Sequence, residues 1–190
     1  MTHYQILELA VAELLIEKGI FTGDDMRRVL ENIDSRSPAD GAKVIARAWV
    51  DPEFKSRLMA DTNAAAAELG IDAGTIPIHT VENTPEVHNV IVCTLCSCYP
   101  RLLLGLPPDW YKSRAYRSRL VREPRAVLAE FGTELPDDIE VRVHDSTAEL
   151  RYLVLPMRPA GTEGLDEAAL ADFVTRDCMI GVTLPRSPDG

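Results

Sequence analysis

The sequence predicts an α+β protein: a helical N-terminal arm over residues 1–72 followed by a mixed helix-and-strand domain over 73–190. Two observations carry this. Apolar residues recur at helical spacing from Tyr4 to Leu69, and after Gly70-Ile71-Asp72-Ala73-Gly74 the composition turns toward β-formers interleaved with short helical signals.

Within the arm, Tyr4, Leu7, Val11, Leu14 and Leu15 share one helical face, and Met26, Val29, Leu30 and Ile33 share another. Gly19 stops the first helix, Thr22 is placed to cap the second, Ser37-Pro38 opens a third, and Asp51-Pro52 opens a fourth that runs to Gly70. These helices form either an arm that packs on another subunit or a local bundle, since composition does not place a helix inside or outside a protomer. Beyond Gly74, Ile76 to Glu82 and Asn89 to Val92 read as strands around a Thr84-Pro85 turn. Helices follow at Ser113 to Val121 and, behind Glu123-Pro124, at Arg125 to Phe131. Ile139 to Val143 and Leu150 to Leu155 read as a hairpin around His144-Asp145-Ser146-Thr147. A loop from Pro156 to Gly164, a short helix at Asp166 to Thr175 and a last strand near Met179 to Val182 complete the chain.

With 190 residues, 46% of them hydrophobic, the chain is long enough to bury a real core. A formal net charge of -10 argues against general binding to nucleic acid or anionic membranes, both of which need a basic surface. No apolar stretch reaches the roughly 18 residues that span a bilayer, and the start lacks the basic region of a signal peptide, so a cytoplasmic location is expected.

Chemistry concentrates in Cys93-Thr94-Leu95-Cys96-Ser97-Cys98. Three cysteines so close are a poor disulfide framework, and metal binding or redox chemistry is the better use. Sulfurs at i, i+3 and i+5 cannot all face one centre from a strand or helix, but a tight loop can turn them together. Three thiolates are one short of the four protein ligands of a structural zinc site, which His88 or the distant Cys178 would have to complete. Backbone donors offer another route. The amide nitrogen and sulfur of Cys98 close a five-membered chelate, and the Ser97 nitrogen with the Cys96 sulfur closes a six-membered one. Those four donors can share a plane, with Cys93 as an axial sulfur and a sixth position left for water or substrate. Deprotonated amides suit Co(III) or Fe(III) far better than zinc. A trivalent ion with three thiolates and two amidates carries a net charge of about -2, so arginines should surround the loop, Arg101 being nearest in sequence and a partner chain supplying more.

The segment Val92 to Tyr99 resembles the metal-binding motif of nitrile hydratase alpha subunits, where threonine at the place of Thr94 accompanies cobalt and serine accompanies iron. Val81-Glu82-Asn83-Thr84-Pro85, Gly105-Leu106-Pro107-Pro108, Trp110-Tyr111-Lys112-Ser113, Tyr116-Arg117-Ser118-Arg119, Arg151-Tyr152, Gly161-Thr162-Glu163 and Thr175-Arg176-Asp177 are also similar to family segments. The resemblance implies a layered α/β/β/α C-terminal domain and cobalt, Co(III), ahead of iron, Fe(III). It makes Cys93 an axial thiolate, Cys96 a sulfinate, Cys98 a sulfenate, and Ser97 and Cys98 amide donors. Metal-bound thiolates are electron-rich sulfurs on the cysteine oxidation ladder, so such oxidation is chemically sensible. The implied reaction is hydration of a small-molecule nitrile to its amide, with Cys96, Ser97 and Cys98 at the reacting centre and either a water at the ion or the Cys98 sulfenate oxygen as nucleophile. Implied partners are a beta subunit, as one chain or two, that brings arginines to the oxidised sulfurs, and a metal-loading activator. One departure stands out: many cobalt-type relatives carry tryptophan where this chain has Arg101, whereas the gamma subunit of thiocyanate hydrolase, which uses the same claw, tends to have arginine. A non-catalytic, zinc-stabilised interaction subunit is the rival of another class.

Other features have plainer readings. The basic run Lys112 to Arg125 suits a solvated helix face or a subunit contact. His88 reads as structural and Cys178 as core. His144-Asp145-Ser146 reads as turn chemistry, with no nucleophile elbow beside it.

Overall fold

A reciprocal capping box starts the chain's first helix, α1 (His3–Glu17): Thr2 Oγ1 accepts from the Gln5 amide, and Gln5 returns its carbonyl oxygen to the Thr2 amide. The computed structural model describes residues 1–188. Gly19, at φ 68°, ends that helix, and Thr22 Oγ1 accepts from the Asp25 amide at the start of α2 (Gly23–Ser35). Met1–Ser35 is a compact unit of its own. Neither of its helices holds a buried residue.

The second unit starts at Arg36. Its helices α3 (Ala39–Val50), α4 (Pro52–Ala60) and α5 (Thr62–Glu68) are divided by two aspartates, Asp51 capping Phe54 N–H and Asp61 capping Ala64 N–H. The single helix expected from Pro52 to Gly70 is therefore two, because the Asp61 side chain supplies the hydrogen bond that a continuing helix would have made. These three helices, grouped with the arm in the sequence reading, belong by their contacts to the second unit: α3 packs on later helices, and α4 and α5 pack on the first strand.

The remaining elements are β1 (Ile78–Glu82), β2 (Val87–Val92), α6 (Arg101–Leu104), α7 (Asp109–Lys112), α8 (Arg114–Arg119), α9 (Pro124–Glu130), β3 (Glu140–Asp145), β4 (Arg151–Leu155), α10 (Glu167–Ala171) and α11 (Arg176–Ile180). The result is the expected α+β class, with two corrections. First, β3 and β4 do not form a hairpin. Instead β1 pairs in parallel with β4, from Ile78↔Arg151 to Glu82↔Leu155, and β2 pairs in parallel with β3, from Val87↔Glu140 to Val92↔Asp145. Covered on both faces, β2 buries His88 through Val92, and β4 buries Leu153 through Leu155. Second, the apolar run at 179–182 is not a strand. Thr175 caps α11 by accepting from the Cys178 amide, and Gly181 ends it at φ 90°. A Cβ at Gly181 would stand 2.1 Å from the Asn89 carbonyl oxygen, so the close approach of α11 to β2 requires glycine there.

Among the described residues no helix is long and apolar enough to cross a membrane.

Candidate metal centre

Strand β2 delivers Cys93, fully buried, to the start of a loop that runs through Cys98 into α6. The sulfurs of Cys93, Cys96 and Cys98 lie within 4.8 Å of one another, with Cys93 to Cys96 at 3.6 Å and Cys96 to Cys98 at 3.3 Å. Cover differs among the three: Cys93 is buried, Cys96 is exposed and Cys98 is partly covered. The turn is fixed by specific bonds. The Cys96 amide donates to the Cys93 sulfur at 3.3 Å, and Asp145 grips Thr94 twice, its Oδ1 accepting from the Thr94 amide at 2.9 Å and its Oδ2 from the Thr94 hydroxyl at 2.5 Å. That grip depends on the parallel register, which sets Asp145 opposite Val92. A serine at 94 would retain the hydroxyl, so the clamp alone does not choose between metals.

Two tyrosines hold the ends of the segment. The Tyr116 hydroxyl donates to the Ile91 carbonyl at 2.6 Å, and the Tyr111 hydroxyl donates to the Cys98 carbonyl at 2.9 Å. Burial pushes both hydroxyls well above the ordinary tyrosine range, so they stay protonated donors.

The sulfurs share one proton system. Hydrogen bonding from the Cys98 thiol, and then from the Ser97 backbone, draws Cys96 down to about 7, whereas burial, followed by the neighbouring Cys96 and Cys93 sulfurs, pushes Cys98 up to about 12. The loop thus presents a thiolate near neutral pH, the form that binds metals and meets oxidants.

Cys96, Ser97 and Cys98 form one wall of a cavity of about 390 Å³. Ile76, Ile78, Leu102 and Pro107 give it apolar surface, Arg101 and Arg151 give it positive charge, and among the described residues no carboxylate lines it. Arg101 is therefore where the charge argument placed it. Arg151, whose Nη1 is buried with no hydrogen-bond partner among the described residues, was not anticipated. It opens β4 opposite Ile78, a position visible only once β1 and β4 are paired.

Neither candidate for a fourth zinc ligand joins the cluster. His88 Nε2 donates to the Gly181 carbonyl at 2.7 Å while its Nδ1 accepts from Asn83, and burial lowers its pKa. Cys178 is buried and exchanges hydrogen bonds with the Thr175 backbone. His144 donates to Asn89 Oδ1 at 2.8 Å. In the basic run, Arg119 pairs with Glu123 and Glu130 and Arg125 caps carbonyls at 135–139, but Arg117 turns toward the loop, its Nη1 3.5 Å from the Thr94 carbonyl. Among the described residues the cluster therefore offers three sulfurs that could hold a metal ion, and neither His88 nor Cys178 adds a fourth ligand.

Residues 2–183 match the family described as nitrile hydratase, alpha chain. The chain belongs to that family. The low-molecular weight cobalt-containing nitrile hydratase subunit alpha of Rhodococcus rhodochrous is 54% identical to it over 94% of this chain and 87% of its own length. The thiocyanate hydrolase subunit gamma of Thiobacillus thioparus is 44% identical over 98% of this chain and 82% of its own length. A solved structure described as recombinant thiocyanate hydrolase with partially modified cobalt centers superposes with a TM-score of 0.94 at 44% identity, covering 99% of this chain and 92% of that one. Nitrile hydratase alpha chains and the thiocyanate hydrolase gamma subunit are thus both close kin of this chain.

Proposed function

We propose that this chain is the metal-carrying subunit of a nitrile hydratase, a lyase that adds water to a nitrile to give the amide. The observation that carries the reading is the convergence of the Cys93, Cys96 and Cys98 sulfurs, with Cys96 and Cys98 on the wall of a cavity that has apolar and cationic sides. In this reading Co(III), ahead of Fe(III), is held by those sulfurs and by the amide nitrogens of Ser97 and Cys98, with Cys96 as sulfinate and Cys98 as sulfenate. The ion supplies Lewis acidity toward the nitrile or a water. The chain's own groups do the rest. Ile76, Ile78 and Leu102 exclude water from the substrate's body, Arg151 and Arg101 offset the negative charge of the ligand set, and Asp145 keeps Thr94, and with it the turn between Cys93 and Cys96, in place.

The apolar residues of α1, among them Tyr4 at 79% and Leu7 at 51% exposure, suit cover by a beta subunit in one chain or two, which would also bring arginines to the oxidised sulfurs. An activator loads the metal, and the assembly works in the cytoplasm.

A second reading, the gamma subunit of thiocyanate hydrolase, is favoured by Arg101 and Arg151 on the cavity wall, with no carboxylate beside them among the described residues, which suits an anion. Turnover of a nitrile panel against thiocyanate separates the two: amide from nitriles alone supports the first, and hydrolysis of thiocyanate alone replaces it with the second. A colourless, zinc-containing protein inert toward both would leave the non-catalytic interaction subunit.

A further inference from the structure

We infer that Tyr111 is a positioning residue for the metal ligands, acting through the carbonyl of Cys98; this rests on the reading of the cysteine loop as a metal site. In that site Cys98 gives both its amide nitrogen and its sulfur, so a turn of its backbone displaces two donors together. Tyr111 holds that backbone. Its side chain is fully buried and its hydroxyl donates to the Cys98 carbonyl at 2.9 Å. The ring cannot easily swing away, being set edge-on to Tyr99 at 5.2 Å and to Trp110 at 6.0 Å, with Tyr116 tilted against it at 5.7 Å.

Tyr116 is a natural control. It is also buried, belongs to the same aromatic corner, and gives its hydroxyl to a carbonyl at 2.6 Å, but that carbonyl is Ile91's. Ile91 sits within β2, where the pairing with β3 already fixes the backbone. Cys98 lies beyond any strand or helix, with no ladder to hold it. Loss of either hydroxyl leaves a carbonyl short of a partner and lowers stability. Only loss at Tyr111 frees a ligand.

The test compares wild type, Tyr111→Phe and Tyr116→Phe in the full-length chain, co-expressed with its partner subunit in cobalt-containing medium. Cobalt release to an excess of chelator, the sulfur-to-metal visible absorption and the thermal midpoint are read on each. Tyr111→Phe is expected to release cobalt about 10-fold faster or more, as for other outer-sphere partners of metal ligands, and to shift the visible band. Tyr116→Phe is expected to lower the midpoint with release and spectrum close to wild type. Wild-type release and spectrum in Tyr111→Phe, or release that follows the midpoint equally in both variants, would overturn the inference. A wild-type protein without cobalt or iron would instead overturn the proposed function. In that case the inference is decided by alkylation of Cys98 with iodoacetamide in the metal-free chain: faster alkylation in Tyr111→Phe than in Tyr116→Phe supports the anchor, and equal rates remove it.

Discussion

Helices α1 and α3 are both rich in apolar residues and have opposite fates. Along α1, Ile6, Leu7, Leu9, Val11 and Leu14 are all about half exposed, and nothing on the helix is buried. In α3, by contrast, Gly41, Ala42, Val44, Ile45, Ala46 and Ala48 are buried. Apolar content alone therefore says that a face wants cover, and not which molecule provides it. The unit from Arg36 onward encloses its own core and holds the cysteine loop against it. The unit before Arg36 leaves the apolar residues of its helices largely exposed.

The largest expected effect lies in the loop. Cys98→Ala removes a sulfur from the ligand set, and should lower cobalt content and nitrile turnover by more than about 100-fold, beyond the 10- to 100-fold typical of outer-sphere changes. Elemental analysis and amide formation measure both. Unchanged cobalt in that variant would move the site elsewhere.

Next comes a matched pair that presses on the comparison itself. Leu58→Ala, at a side chain with no exposure, should cost about 2–5 kcal/mol in chemical unfolding, while Leu14→Ala, half exposed on α1, should stay within about 0.5 kcal/mol. Partner affinity should reverse the order. If Leu14→Ala unfolds the chain as readily as Leu58→Ala does, the account of an α1 without a core of its own fails.

Asp145→Asn should act more gently on the loop. One oxygen can still accept from the Thr94 amide, but the new amide nitrogen cannot accept from the Thr94 hydroxyl. Cobalt retention is expected to fall by about 10-fold, with Thr94→Val giving a similar loss. A variant as retentive as wild type would reduce the clamp to a turn decoration.

The smallest effect is a pH slope. Burial lowers the pKa of His88 and, first among its causes, of His144 as well, so the folded chain binds fewer protons than the unfolded one. The stability tied to these neutral rings is present above the ordinary histidine value of 6.5 and is lost as pH falls through it toward the depressed folded values. Thermal midpoints measured at pH 7.5 and 5.5 should fall toward acid, and His88→Gln should flatten the slope while costing stability at both.

Local signals in the sequence were enough for the first three helices, both strands before the cysteines, and the loop itself, but not for the break at Asp61 that divides the helix expected from Pro52 to Gly70. Capping residues such as Thr22 and Asp51 act on their immediate neighbours, and the i, i+3, i+5 spacing lies within a short stretch of chain. Strand pairing was not legible. Asp145-Ser146-Thr147 between two apolar runs reads as a hairpin turn, yet each run pairs in parallel with a strand far upstream, a choice made by burial of Val90 to Val92 and Leu153 to Leu155. That single difference hid two site residues. Asp145 reaches Thr94 and Arg151 reaches the cavity only in the parallel registers. Tyr111 was visible as part of a family-like segment, but no local pattern tied its hydroxyl to Cys98. The run at 179–182 failed for another reason: a short apolar stretch does not distinguish helix from strand, and the decision fell to the Thr175 cap and to Gly181 against Asn89.

The central claim is that the three sulfurs hold a catalytic trivalent metal. Elemental analysis joined to mass spectrometry of the 93–98 peptide, on protein co-expressed with its partner in cobalt-containing medium, tests it most directly. The account predicts near-stoichiometric cobalt, with oxygen added at Cys96 and Cys98. Zinc, or no metal, with all three cysteines unmodified would contradict it.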